Sequence, residues 1–109
     1  MEDKALKYLS DILKAINFIE EFMIGIKSFH DYEIDYKTQS AVERQLGIIG
    51  EAVNKYDALL SEKSLVNSRE IVGFRNRLIY AYDAIDTSIV WAIINNYLSP
   101  LKIEVESLL

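Results

Sequence analysis

The chain has 109 residues with 17 acidic against 12 basic side chains, a formal net charge of -5 and no cysteine. Its acidity argues against a broad electrostatic grip on nucleic acid, and the missing thiols exclude a disulfide framework and a thiolate metal site. The length fits a single domain over residues 1–109, and with half of the residues hydrophobic some apolar surface is expected to go to a second subunit.

The opening Met1-Glu2-Asp3-Lys4 is charged and leads into an amphipathic pattern rather than an apolar signal core. No stretch approaches the length of a bilayer span, so a soluble cytoplasmic protein without membrane contact is expected. From Asp3 to about Phe29, Leu6, Leu9, Ile12, Leu13, Ile16, Ile19, Phe22, Met23 and Ile26 recur at three and four residues, the pattern of one long amphipathic helix. Gly25 and Ser28 loosen its last turns, and His30 to Asp35 reads as a short acidic connection. His30, the only histidine, lacks a spaced partner and reads as an exposed loop residue rather than a ligand or a catalyst.

A second helix is expected from about Lys37 to Leu60 with Val42, Leu46, Ile49, Val53 and Tyr56 as its buried stripe. Gly47 and Gly50 each cost a helix up to about 1 kcal/mol against alanine, so they suggest close approach of another helix. Ser61 to Asn67 breaks the pattern, and Ser68 or Asn67 can cap a third helix whose buried stripe is Phe74, Leu78, Ala81 and Ile85. Asp86 or Thr87 can cap a fourth, in which Ile89, Val90, Ile93, Ile94, Tyr97 and Leu98 continue to Leu101, Val105 and Leu108. Pro100 should bend or interrupt it. The economical architecture is an all-α, up-down four-helix bundle.

The third helix carries the chemical interest. Arg75 and Tyr82 fall nearly in line on one face, and Asn76, Tyr80 and Asp83 form a second polar row. Three of the four arginines, Arg69, Arg75 and Arg77, lie within nine residues, a concentrated basic spot on an acidic body or a solvated helix face. Arg44 and Glu51 on the second helix can reach across the bundle to anchor Arg75 and Asn76, orienting them rather than reacting. Glu20, Glu21 and Glu43 read as ordinary surface charges, and scattered carboxylates around a lone histidine offer no metal-ligand spacing.

The run Arg75-Asn76-Arg77-Leu78-Ile79-Tyr80-Ala81-Tyr82 resembles the R-N-x-x-x-H-x-Y signature of HEPN domains of the HepT type, and Ala84-Ile85-Asp86 resembles the acidic turn that follows it. Upstream, Ala41-Val42-Glu43-Arg44 and Ile49-Gly50-Glu51-Ala52 look like the second helix of that family. The resemblance implies a four-helix HEPN bundle that dimerises through the motif helix and a metal-independent endoribonuclease with no cofactor. It implies that Arg75 holds phosphate, that Asn76 orients its neighbour, and that Tyr80 stands where the family has its catalytic histidine. It further implies a toxin of a prokaryotic toxin-antitoxin pair, with RNA as target and an MNT-type nucleotidyltransferase as antitoxin that adenylylates Tyr82. Tyr80 departs from the pattern, because a phenol with a pKa of about 10 is a poor general base at neutral pH. The alternative is an inactive HEPN module that binds a nucleotidyltransferase or a nucleotide. Tyr82 reads equally as an aromatic packed at a dimer interface.

Overall fold

The computed structural model describes residues 2–80 and 86–109, apart from the side chains of Ile79 and Tyr80. Every regular element among them is helical, so the all-α class stands, with six helices where four were expected. The first helix, α1, spans Asp3–Phe22 and ends short of Phe29. The chain turns at Gly25, whose φ of 89° lies in the left-handed region that side chains avoid. The expected loop is largely a short helix, α2, over Phe29–Glu33. Its ends are satisfied by side chains: Ser28 Oγ accepts from the Asp31 amide at 3.1 Å, and the Gln39 amide donates to the Tyr32 and Glu33 carbonyls at 2.8 and 2.9 Å. A helix this short is not stable alone, and these bonds replace the missing intrahelical ones.

Helix α3, Tyr36–Leu59, begins where the Asp35 carboxylate accepts from the Thr38 amide at 3.0 Å and from its hydroxyl at 2.7 Å. Those hydrogen bonds favour the charged form and hold the Asp35 carboxyl below its usual range. A 3-10 turn at Ser61–Lys63 leads to Asn67, at φ 65°, and then to α4, Ser68–Tyr80. Glu104 accepts from the Val66 amide at 3.0 Å, and buried Leu65 plugs the core beneath this connection.

The fourth expected helix is two: α5, Thr87–Asn96, and α6, Leu98–Leu108, meeting at Tyr97. Asp86 caps α5 through the Ser88 amide and hydroxyl at 2.9 and 2.6 Å, which lowers its carboxyl below the ordinary range. The break precedes Pro100 for a steric reason. The proline ring excludes the carbonyl four residues earlier, at Asn96, while Pro100 itself sits in the first turn of α6, where no amide donor is needed.

The core lies where α1, α3 and α6 meet. Leu9, Ile12, Ile16 and Ile19 of α1 close on Val42, Leu46, Ile49 and Val53 of α3, and α6, which packs on α1, adds buried Leu101 and Val105. Lys102 of α6 pairs with Glu20 of α1 at 2.7 Å on the rim. Tyr32, expected in a loop, is fully buried, and its ring lies 5.9 Å from that of Trp91, which also meets Phe29 edge-on at 6.0 Å. Burial first, and then the charges of Glu43 and Asp35, push the Tyr32 phenol up.

Helix α4 leans on α3 at one point of very close approach. A β-carbon at Gly50 would overlap Arg75 Cβ and stand 2.6 Å from Arg75 Cγ, whereas one at Gly47 would meet nothing within 4 Å. Close approach is therefore the role of Gly50 alone, not of the pair. Replacing Gly50 with alanine is expected to destabilise the protein by about 1–3 kcal/mol through overpacking. Gly47→Ala is expected to stabilise by up to about 1 kcal/mol by removing helical glycine entropy. Urea unfolding of both variants measures the contrast, and equal effects would contradict it.

Candidate functional site

Helical periodicity turns Arg75 of α4 toward α3, where bare Gly50 accepts its aliphatic stem. The guanidinium Nη2 stands 3.2 Å from Glu51 Oε2, with 13% of the arginine side chain and 45% of the glutamate exposed. Lys55, one turn further along α3, approaches the other carboxylate oxygen at 3.6 Å. One carboxylate thus serves two cations. Arg75 Nε is buried without a partner among the described residues, so the headgroup is oriented by one contact and keeps donors to spare. The strength of such a half-buried pair falls between about 1 kcal/mol for exposed pairs and about 3–5 kcal/mol for breaking buried ones.

Glu51 is also a wall of a cleft of about 500 Å³ between α1 and α3, which Leu78 of α4 borders. Its other charged walls include Lys7, Asp11, Glu43, Arg44 and Lys55. Lys7 pairs with Asp11 at 2.9 Å, and that hydrogen bond raises its ammonium pKa. The Tyr8 ring lies 5.6 Å from the Lys7 ammonium and 6.0 Å from that of Lys55, within cation-π range. Arg44 is exposed in this cleft and makes no ion pair among the described residues. Of the two residues expected to anchor the signature, Glu51 reaches Arg75 and Arg44 does not. Glu43, read as an ordinary surface charge, is half-buried in the cleft, and desolvation raises its carboxyl pKa.

Asn76 faces elsewhere. It is exposed and lines a groove of about 690 Å³ further along the α3–α4 seam, toward the start of α4, shared with Asn54, Asp57, Asn67 and Arg69. Arg77 lines a third cleft, mostly apolar, of about 450 Å³. The three arginines of α4 therefore do not form one basic spot: at 100° per residue Arg75 stands about 120° from Arg69 and about 160° from Arg77, and Arg69 and Arg77, about 80° apart, border different clefts. The Tyr80 backbone closes α4, while its side chain and all of Tyr82 and Asp83 lie outside the described residues. His30 is exposed, on α2 rather than in a loop. Among the described residues no group of histidine, cysteine and carboxylates is placed to hold a metal ion, and no helix is long and apolar enough to cross a membrane.

These features define a small all-helical protein with a buried-stem arginine, ion-paired across a helix seam between a mixed-charge cleft and a polar groove. The family follows from comparison with known proteins. The family model described as "Ribonuclease HepT-like" matches residues 12–108. The chain is 40% identical over 105 residues to "Probable ribonuclease HepT" of Thermococcus cleftensis, covering 93% of this chain and 92% of that one. It is 37% identical over 103 residues to a protein named as a candidate RNase of Caldanaerobacter subterraneus, covering 94% and 91%. A candidate RNase of Methanocaldococcus jannaschii is 36% identical over 100 residues, with 91% of each chain covered. The chain belongs to the HepT-like ribonuclease family. No solved structure matches it significantly.

Glu43 yields a pH-dependent prediction. Its folded pKa is raised, so the folded state binds the proton more tightly than the unfolded one and the carboxylate opposes folding at neutral pH. Glu43→Gln is expected to raise the thermal midpoint at pH 7. That advantage should fade as pH falls through the folded pKa and vanish below the unfolded value of about 4.3. Thermal melts of both proteins across this range measure it, and a gain independent of pH would contradict the assignment.

Proposed function

We propose that the protein is a metal-independent endoribonuclease, the toxin component of a prokaryotic toxin-antitoxin pair, acting on RNA as a homodimer. The observation that carries this reading is Arg75, braced by Glu51 over Gly50, in a chain of the HepT-like ribonuclease family. Without a metal, RNA is cleaved when the 2′-hydroxyl loses its proton and attacks the adjacent phosphorus. The bond to the 5′-oxygen breaks, and that oxygen takes up a proton. Arg75 binds the phosphate oxygens and offsets the charge that builds on them, since a guanidinium stays protonated and presents a planar fork of donors. Asn76 orients the neighbouring polar group. Tyr80 occupies the position of the family histidine, and a phenol protonated at neutral pH is better suited to donate to the leaving 5′-oxygen than to remove the first proton.

A homodimer is supported by the apolar cleft between α3, α4, α5 and α6, where Ile71, Phe74, Ile89 and Ile93 leave a contiguous hydrophobic wall beside the motif helix. In the same reading, an MNT-type nucleotidyltransferase silences the protein through Tyr82. The phenol oxygen attacks the α-phosphorus of ATP and pyrophosphate departs, leaving an adenylyl group whose charge and bulk oppose RNA near Arg75. Tyr80 also favours a second reading, a HEPN module that binds a nucleotidyltransferase or a nucleotide and hydrolyses nothing.

Purified protein is expected to cleave a mixed RNA in EDTA, and Arg75→Ala to abolish cleavage. Tyr80→His is expected to raise the rate by about 10²-fold, the low end of general acid-base contributions. A parent without activity, together with a Tyr80→His variant that gains it, would establish the second reading. If the adenylylation reading holds, incubation with the nucleotidyltransferase and ATP gives an adenylyl mass shift that Tyr82→Phe removes; a shift retained in that variant would exclude Tyr82 as the acceptor.

A further inference from the structure

The groove on which Asn76 opens is a second feature of the α3–α4 seam, and of its lining the cleavage chemistry uses Asn76 alone. The two helices run antiparallel here, so Glu51 and Arg75 are followed, one turn further along α3 and toward the start of α4, by Asn54 and Asp57 facing Val72, Gly73 and Arg69. Asn67 and Ser64 close the far end. The groove is built rather than incidental. Its floor is the buried Leu65, whose amide approaches Asp57 Oδ1 at 3.4 Å, and its end wall is pinned by Glu104 on the Val66 amide and by Ser68 Oγ donating to the Leu65 carbonyl at 2.6 Å.

Its chemistry is unusual for an acidic protein. Three carboxamides, Asn54, Asn67 and Asn76, line one groove, and no side-chain hydrogen bond engages any of them among the described residues. A carboxamide presents two donors and one acceptor group on a flat edge, the complement of a nucleobase edge. Arg69 adds a planar guanidinium on which a base can stack. Asp57 and Glu70, in the same groove, oppose a second phosphate, so the occupant is uncharged in the part that enters. The groove is open to solvent, with about 690 Å³ of space along it. Asn67 reaches it from a left-handed backbone, a conformation asparagine tolerates better than most residues.

We infer that this groove is a base-reading subsite, in which Asn54, Asn67 and Arg69 receive an unpaired nucleobase of the strand whose phosphate Arg75 holds. The inference rests on the ribonuclease reading above and extends it to sequence preference. Single-stranded RNA suits it, because unpaired bases can splay out and expose their hydrogen-bonding edges. Sequence selection then comes from an amide on α3 and one just before α4, while phosphate binding comes from an arginine of α4.

The test is fluorescence anisotropy at low salt with the full chain and fluorescein-labelled single-stranded decaribonucleotides made only of A, only of C, only of U, or of alternating A and G. The parent is expected to prefer one sequence by about fivefold or more, the lower end of what one bidentate base contact discriminates. The double variant Asn54→Ala, Asn67→Gly should flatten that preference to within about twofold. Glycine is chosen at Asn67 because it keeps the left-handed backbone. Asn54→Asp, which replaces an amide's donors with acceptors, should instead shift the preference toward bases that carry an amino group. Equal binding of all four probes by the parent, or unchanged preference in both variants, overturns the subsite while Arg75-dependent binding leaves the ribonuclease reading intact. No binding by the parent, or binding indifferent to Arg75→Ala, overturns both.

Discussion

The contact between Gly50 and the stem of Arg75 is the constraint on which the arrangement depends. Two helices cannot approach this closely with a β-carbon between them, and at this position α3 has none. Because the arginine stem lies on bare backbone, its headgroup emerges beside Glu51, the next residue on α3, and the ion pair follows from that placement. The cost of a helical glycine, up to about 1 kcal/mol, is offset by packing and by an arginine whose direction is set. A guanidinium held this way loses less entropy on binding a phosphate than a free surface arginine does.

In the ribonuclease reading proposed above, the same seam is where an acidic chain would hold an anionic substrate. Local charge matters more than net charge when the cation is partly desolvated and the approach is confined. Glu51 shared between Arg75 and Lys55 leaves a positive balance at that point of the seam, while the walls of the α1–α3 cleft mix both signs. The α4 arginines serve different faces, so only Arg75 is placed on the seam between cleft and groove.

Much of this was legible in the chain itself. Apolar spacing of three and four residues picks out Leu9, Ile12, Ile16 and Ile19, and Val42, Leu46, Ile49, Val53 and Tyr56, all of which are buried. Capping chemistry locates the start of α5, where Asp before an apolar run satisfies an amide that has no other local partner, whereas at the start of α4 the Ser68 hydroxyl donates to the Leu65 carbonyl instead. The first connection was not legible. Five residues are too few for periodicity to register, and α2 exists through Ser28, Gln39 and the burial of Tyr32 against Trp91, contacts made at a distance along the chain. The site was partly legible. A motif identifies Arg75 and Asn76 but not that Arg75 packs against Gly50 and Glu51 while Asn76 opens on a groove, since neighbours on a helix point about 100° apart and only the packing of α3 decides what each meets.

What the sequence determined alone is the helical class, the buried stripes and the family signature, because each depends on short-range spacing and on residue type. Only the tertiary structure decided that Gly50 and not Gly47 is the point of close approach and that Glu51 rather than Arg44 meets Arg75. It also decided that Glu43 is partly desolvated, whereas the break of the fourth helix near Pro100 was already legible from the proline. The reason is the same for each of the first three. Residues on one helix with equivalent spacing differ only in what another helix brings opposite them, and that depends on crossing point and depth, which no local pattern encodes.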